Sequence, residues 1–201
     1  MKYTASYILL IVMALASGCT IDKDFEPAQV EETLSIYTPP GFPPMYYNLN
    51  GNPFSMAKFE LGKKLFYDPL LSADNTVSCG SCHQQFAAFS HFDHKVSHGI
   101  FNQSGNRNAP PIFNLAWHNS FMWDGGVNNL EIQPLNPIQN PVEMGETLPN
   151  VISKLSADAT YRNMFKQAYG TDTVTSQGMF RAFAIFMAAM ISADSKRSEE
   201  H

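Results

Sequence analysis

Cys79-Gly80-Ser81-Cys82-His83 constrains this chain more than any other stretch of it. Two thiols three positions apart lie on one helical turn, within reach of both vinyl groups of a single haem. The next residue, an imidazole, can then swing beneath the ring and bind its iron. The run is the C-x-x-C-H of c-type haem attachment. Two other chemistries use paired cysteines. A zinc site takes four ligands, and His91, His94 or His98 are available, but there is no second C-x-x-C. A thioredoxin-like redox pair sits in a βαβ pattern, which is not readable here. Covalent haem is the reading that fits, and any fold must leave room for it.

Composition agrees. The chain is 44% hydrophobic, with 15 Phe and 10 Met and only 15% charged residues, so its interior can wrap a large apolar group. Its 13 Lys and Arg against 18 Asp and Glu leave a net charge of −5, which argues against a nucleic-acid surface. The third cysteine belongs to a leader. Lys2 is a positive n-region, residues 7–16 form an apolar h-region too short to span a bilayer, and Ser17-Gly18 precede Cys19. Residues 1–18 read as a lipoprotein-type signal peptide, with Cys19 lipidated as the mature N-terminus on the periplasmic side of a bacterial membrane. Ala16 stands where Leu is commonest, and an ordinary cleaved signal with an incidental cysteine is the alternative. Lipidation would leave Cys79 and Cys82 for haem and none for a disulfide.

Residues 19–37 are acidic and polar and read as a solvated tether. Prolines in Thr38-Pro39-Pro40-Gly41-Phe42-Pro43-Pro44 predict an extended entry to a domain over 38–195, followed by a short tail, 196–201. Ser55 is an N-cap for a helix over 56–66, whose stripe comprises Met56, Ala57, Phe59, Leu61, Leu65 and Phe66. From His83 to Pro141 the chain is rich in Gly, Asn and Pro and has no sustained period, which suits a segment held by a ligand. Helical patterns return at about 147–155, 158–169 and 175–193. The last is apolar nearly all round over 179–191 and reads as a buried core helix. The expected class is all-α, a cytochrome c-like haem domain with long irregular loops.

Several stretches in register resemble the bacterial di-haem cytochrome c peroxidases and their MauG-like relatives. They are residues 61–72, Cys79 to His83, Gly105-Asn106-Arg107-Asn108-Ala109-Pro110, Phe121-Met122-Trp123-Asp124-Gly125-Gly126, and Gln133 through Pro141-Val142-Glu143-Met144. The resemblance covers about residues 40–195. It implies that haem c is held by Cys79 and Cys82, with His83 as the proximal iron ligand on the haem that meets peroxide. Gln133 and Glu143, ten positions apart, are implied as the distal pair, Trp123 as an electron relay, and Asn108 as a ligand of calcium. The implied partners are hydrogen peroxide and a small donor protein such as a cytochrome c.

Two positions depart from the family pattern. Ile100 stands where some members place a histidine that caps the haem iron in the resting state, which implies an iron left open; His91, His94 and His98 remain nearby candidates. Gly126 stands where Arg is usual after Trp-Asp-Gly. The family also has a second domain with its own C-x-x-C-H, where electrons enter, and this sequence contains one such motif. The expectation is a fragment or a one-haem derivative, reactive with peroxide but turning over poorly by itself. The alternative is a mono-haem electron carrier or sensor without catalysis.

Overall fold

The computed structural model describes residues 36–92 and 94–194. The leader 1–18, Cys19, most of the tether and the 196–201 tail lie outside the described residues. Helix α1 (Met56–Tyr67) starts at Ser55, whose hydroxyl accepts from Lys58 N at 3.3 Å, and ends before Pro69. It buries Leu61, Gly62, Leu65 and Phe66, while Met56 stays exposed in its open first turn. A single helical turn, α2 (Cys79–Cys82), carries the two thiols, and α3 (Leu135–Gln139) is little longer. Helices α4 (Leu148–Ala157), α5 (Ala159–Tyr169) and α6 (Ser176–Ala189) follow, capped by the side chains of Thr147, Asp158 and Thr175. These three match the periodicity except at one end. The pattern predicts a helix to 193, but the chain leaves α6 at Met190. There Asn114 N donates to Met190 O at 2.8 Å, and the Asn114 amide pairs with both backbone groups of Ser192. The clamp captures polar groups that another helical turn would have satisfied internally. None of the described helices is long and apolar enough to cross a membrane.

Helix α6 is the centre of the core. From Gly178 to Ala188 every residue except Arg181 is buried, and its main partner is α1. The two helices meet at Gly62. A Cβ there would sit 2.1 Å from Ala182 O and 2.8 Å from Phe186 Cβ, so the approach is possible only without a side chain. Gly62→Ala should cost about 1–3 kcal/mol and lower the melting temperature by several degrees, as a thermal melt will read.

The segment 38–44 is not uniformly extended as predicted: Phe42 N donates to Pro39 O, closing a turn at Pro40-Gly41. Trp117 then pins it, through Nε1 to Pro43 O at 2.8 Å and an edge contact with Phe42. The long loops are organised by three isolated antiparallel bridges, Gln84–Ser90, His98–Ser104 and Phe121–Val127, each joining residues six positions apart. Each loop bends through left-handed backbone at residues other than glycine: Ala88 and Phe89, Phe101 and Asn102, and Met122. Such conformations cost about 1–3 kcal/mol each and persist where surrounding contacts enforce them, commonly at functional sites.

Candidate haem site

The C-x-x-C-H turn faces a cleft of about 850 Å³ and, beside it, a smaller hollow of about 50 Å³. Cys82, His83, Gln133 and Glu143 line both, and Cys79 lines the smaller. The cleft is in the upper range of small-molecule sites. Ser81 Oγ accepts from Ser78 N at 3.1 Å and so closes the turn that presents the thiols. Gly80 lies against Tyr67, which ties that turn to the end of α1. Both cysteines are free thiols, and burial pushes Cys79 up to about 12 and Cys82 upward too, so they stay protonated in the apolar hollow.

His83 has the geometry of a residue that could ligate a metal. Its Nδ1 lies 3.0 Å from the carbonyl of Phe89, which makes Nδ1 the protonated nitrogen and leaves the Nε2 lone pair for a metal. Burial pulls its pKa down, opposed by the carbonyls of Phe89 and Pro110, so the ring is neutral. The carbonyl that orients it belongs to one of the strained residues, Phe89 at φ +55°. Two un-ionised thiols, one oriented neutral imidazole and an adjoining cleft of this volume are what a c-type haem requires, so the residues fit that group. Among the described residues no three of His, Cys, Asp or Glu gather as they would around a metal ion held by side chains alone.

The ten-residue spacing of Gln133 and Glu143 has a plain cause. Helix α3 and the turn after it double the chain back, so that both residues line the same space as His83. Gln133 Nε2 contacts Met122 Sδ at 3.8 Å. Glu143 Oε1 accepts from Asn140 Nδ2 at 2.8 Å. Burial raises the Glu143 pKa, and the Asn140 amide lowers it in part.

The other predicted residues fare differently. Trp123 is 60% exposed at the rim of the cleft, with Nε1 donating to Asn108 O at 2.7 Å, and so is not a core aromatic. Asn108 uses its Nδ2 on the carbonyls of His91 and His94, which leaves one side-chain oxygen for a cation that takes six to eight. His91, His94 and His98 contact one another ring to ring, and none lines the cleft. Ile100 is buried against Gly145, with its N–H on Glu143 O at 2.7 Å. Gly126 N donates to Asp124 Oδ1, whose carboxylate also pairs with Arg107. Three contributors were not found from sequence: Phe89, which orients His83; Met122, beside Gln133; and Asn140. Only Asn140 carried a local signal, an Asn-Pro turn three residues before the carboxylate.

Residues 56–199 match the family model described as Di-haem cytochrome c peroxidase. Among curated proteins, the methylamine utilization protein MauG of Methylorubrum extorquens is 34% identical over 71% of this chain and 40% of its own length. The cytochrome c551 peroxidase of Pseudomonas aeruginosa is 33% identical over 82% of this chain and 47% of its own. Among solved structures, a MauG-like protein associated with microbial copper homeostasis superposes with a TM-score of 0.73 at 34% identity, over 81% of this chain and 48% of that one. The chain therefore spans a little under half the length of these relatives.

Proposed function

The chain belongs to the di-haem cytochrome c peroxidase family, and from that premise we propose that it carries one covalent haem c and reduces hydrogen peroxide to two waters with electrons from a cytochrome-type donor. One observation carries the reading: Cys82, His83, Gln133 and Glu143 all line the same cleft, so the residues proposed for attachment, iron ligation, peroxide orientation and proton transfer share one space. Cys79 and Cys82 would hold the haem through thioethers and His83 would bind its iron. When bound, the haem supplies an iron to take the peroxide and the electrons that break its O–O bond. The chain's own residues handle the protons. Glu143 would take a proton from one peroxide oxygen and deliver it to the other, so that the leaving group departs as water. Gln133 orients the peroxide by its amide without competing for that proton.

Trp123, pinned at the cleft rim, is our candidate for the electron relay, and a second haem domain is the candidate for electron entry. We also propose a lipid anchor at Cys19, a periplasmic location, and Asn108 as one ligand of a calcium ion. The test is to mature the full chain in a host that attaches c-type haem. Haem should survive denaturation on the polypeptide, and peroxide should alter its absorption at once. A six-coordinate low-spin haem, inert to peroxide in both oxidation states, would overturn the catalytic reading and leave a carrier or sensor.

A further inference from the structure

The distal carboxylate is held by one side chain. Asn140 Nδ2 donates to Glu143 Oε1, and among the described residues neither carboxylate oxygen of Glu143 makes another hydrogen bond. Asn140 itself cannot turn away. Its Oδ1 accepts the Val142 N–H at 3.2 Å, which fixes the end of the amide that faces Glu143. Its own N–H closes α3 on Asn136 O at 2.9 Å, and its carbonyl accepts from both Glu143 N and Gly145 N at 3.0 and 2.9 Å. The turn over 140–145 is thus built on Asn140, and the Glu143 side chain folds back onto the residue that builds it.

We propose that Asn140 is the positioning residue of the distal site, anchoring Glu143 Oε1 so that the proton passed between the peroxide oxygens is taken up and released at Oε2. The proposal rests on the reading of Glu143 as the acid and base. A carboxylate with two untethered oxygens rotates and presents either; a tethered one meets the substrate in one orientation, which removes disorder from the reacting geometry. The donor also favours the ionised form, against a burial that would keep the group protonated. The other titratable groups on the cleft and its hollow are Cys79, Cys82, His83, His118, Arg107 and Asp124, and none hydrogen-bonds Glu143. Thioether formation would leave the two sulfurs uncharged, and Asn140 remains the one side chain among the described residues that hydrogen-bonds this carboxylate.

The experiment compares haem-loaded wild type, Asn140→Leu, Asn140→Asp and Glu143→Gln. One readout is the infrared titration of the protonated carboxyl band that Glu143→Gln abolishes. The other is the pH profile of the peroxide-driven change in haem absorption, whose acid limb reports protonation of the base. In Asn140→Leu, the band midpoint and the acid limb should both move up by about one pH unit or more. Asn140→Asp, equal in size, should move them further, because two neighbouring carboxyls share a proton. Midpoints that stay at the wild-type position in both variants overturn the proposal, as does a loss of haem loading or thermal stability without any midpoint shift. If Glu143→Gln reacts at the wild-type rate, the catalytic reading of Glu143 fails, and the infrared midpoints still decide whether Asn140 anchors it. If Glu143→Gln is slow and both Asn140 variants keep the wild-type profile and midpoints, the anchoring fails alone.

Discussion

Glu143→Gln should slow the reaction with peroxide by about 10²–10⁴-fold while leaving haem attachment intact. The amide fills the same space and its Oε1 can still accept from Asn140, so the turn over 140–145 survives. What it cannot do is carry a proton from one peroxide oxygen to the other. Stopped-flow rates per attached haem measure the loss, and a variant within threefold of wild type would remove Glu143 from the mechanism. Gln133→Leu should cost far less, because orientation alone is lost there. The substitution at 143 has a second signature of opposite sign. A carboxyl whose pKa is raised by burial binds its proton more tightly folded than unfolded, so its contribution to stability falls as pH rises from the ordinary carboxylate value through the raised one. Glu143→Gln abolishes that fall. It should therefore melt above wild type at neutral pH, with the two proteins converging in acid. A variant slower by orders of magnitude yet more stable is the mark of a group held in place for chemistry.

The helices were legible because their chemistry is local. Ser55, Thr147, Asp158 and Thr175 cap, and apolar residues recur at helical spacing behind each cap. The end of α6 was not, because Met190 and Ile191 continue the apolar pattern while the groups that pull the chain away sit on Asn114, far off in sequence. That Cys82, His83, Gln133 and Glu143 share one cleft was expected from C-x-x-C-H and from resemblance, but the orientation of the His83 ring could not be read. It depends on Phe89, in left-handed backbone that favours glycine, and no local rule assigns that conformation to phenylalanine. The same holds at Ala88, Phe101 and Met122. The long irregular region was expected to be organised by a ligand. Within it three bridges, Gln84–Ser90, His98–Ser104 and Phe121–Val127, fold the backbone back on itself with left-handed residues between their ends. Ring contacts among His91, His94 and His98 were equally hidden, since spacing within a loop does not fix which way side chains turn.

Gly99→Ala should lower the peroxide rate about 100-fold through the backbone alone. A Cβ at residue 99 would lie 2.1 Å from Val142 O, 2.4 Å from Glu143 O and 2.5 Å from Glu143 Cα. All three are backbone atoms of the turn that carries Glu143, the carboxylate proposed to move the proton, so no side chain can swing aside to relieve the contact. The gap must open by roughly 1 Å, and a misplacement of that size at a reacting group costs about 10² in rate. Opening it also stretches the 2.7 Å bond from Ile100 N to Glu143 O, which ties the 98–104 loop to the distal turn. Gly62→Ala is the matched control. It forces a comparable backbone clash between α1 and α6, on residues that do not line the cleft, and should cost stability without slowing the folded, haem-loaded molecule. Rates normalised to attached haem separate the two. If Gly99→Ala melts lower but reacts as wild type, the loop's close approach serves the fold, and the position of Glu143 is set by Asn140 and the 140–145 turn without it.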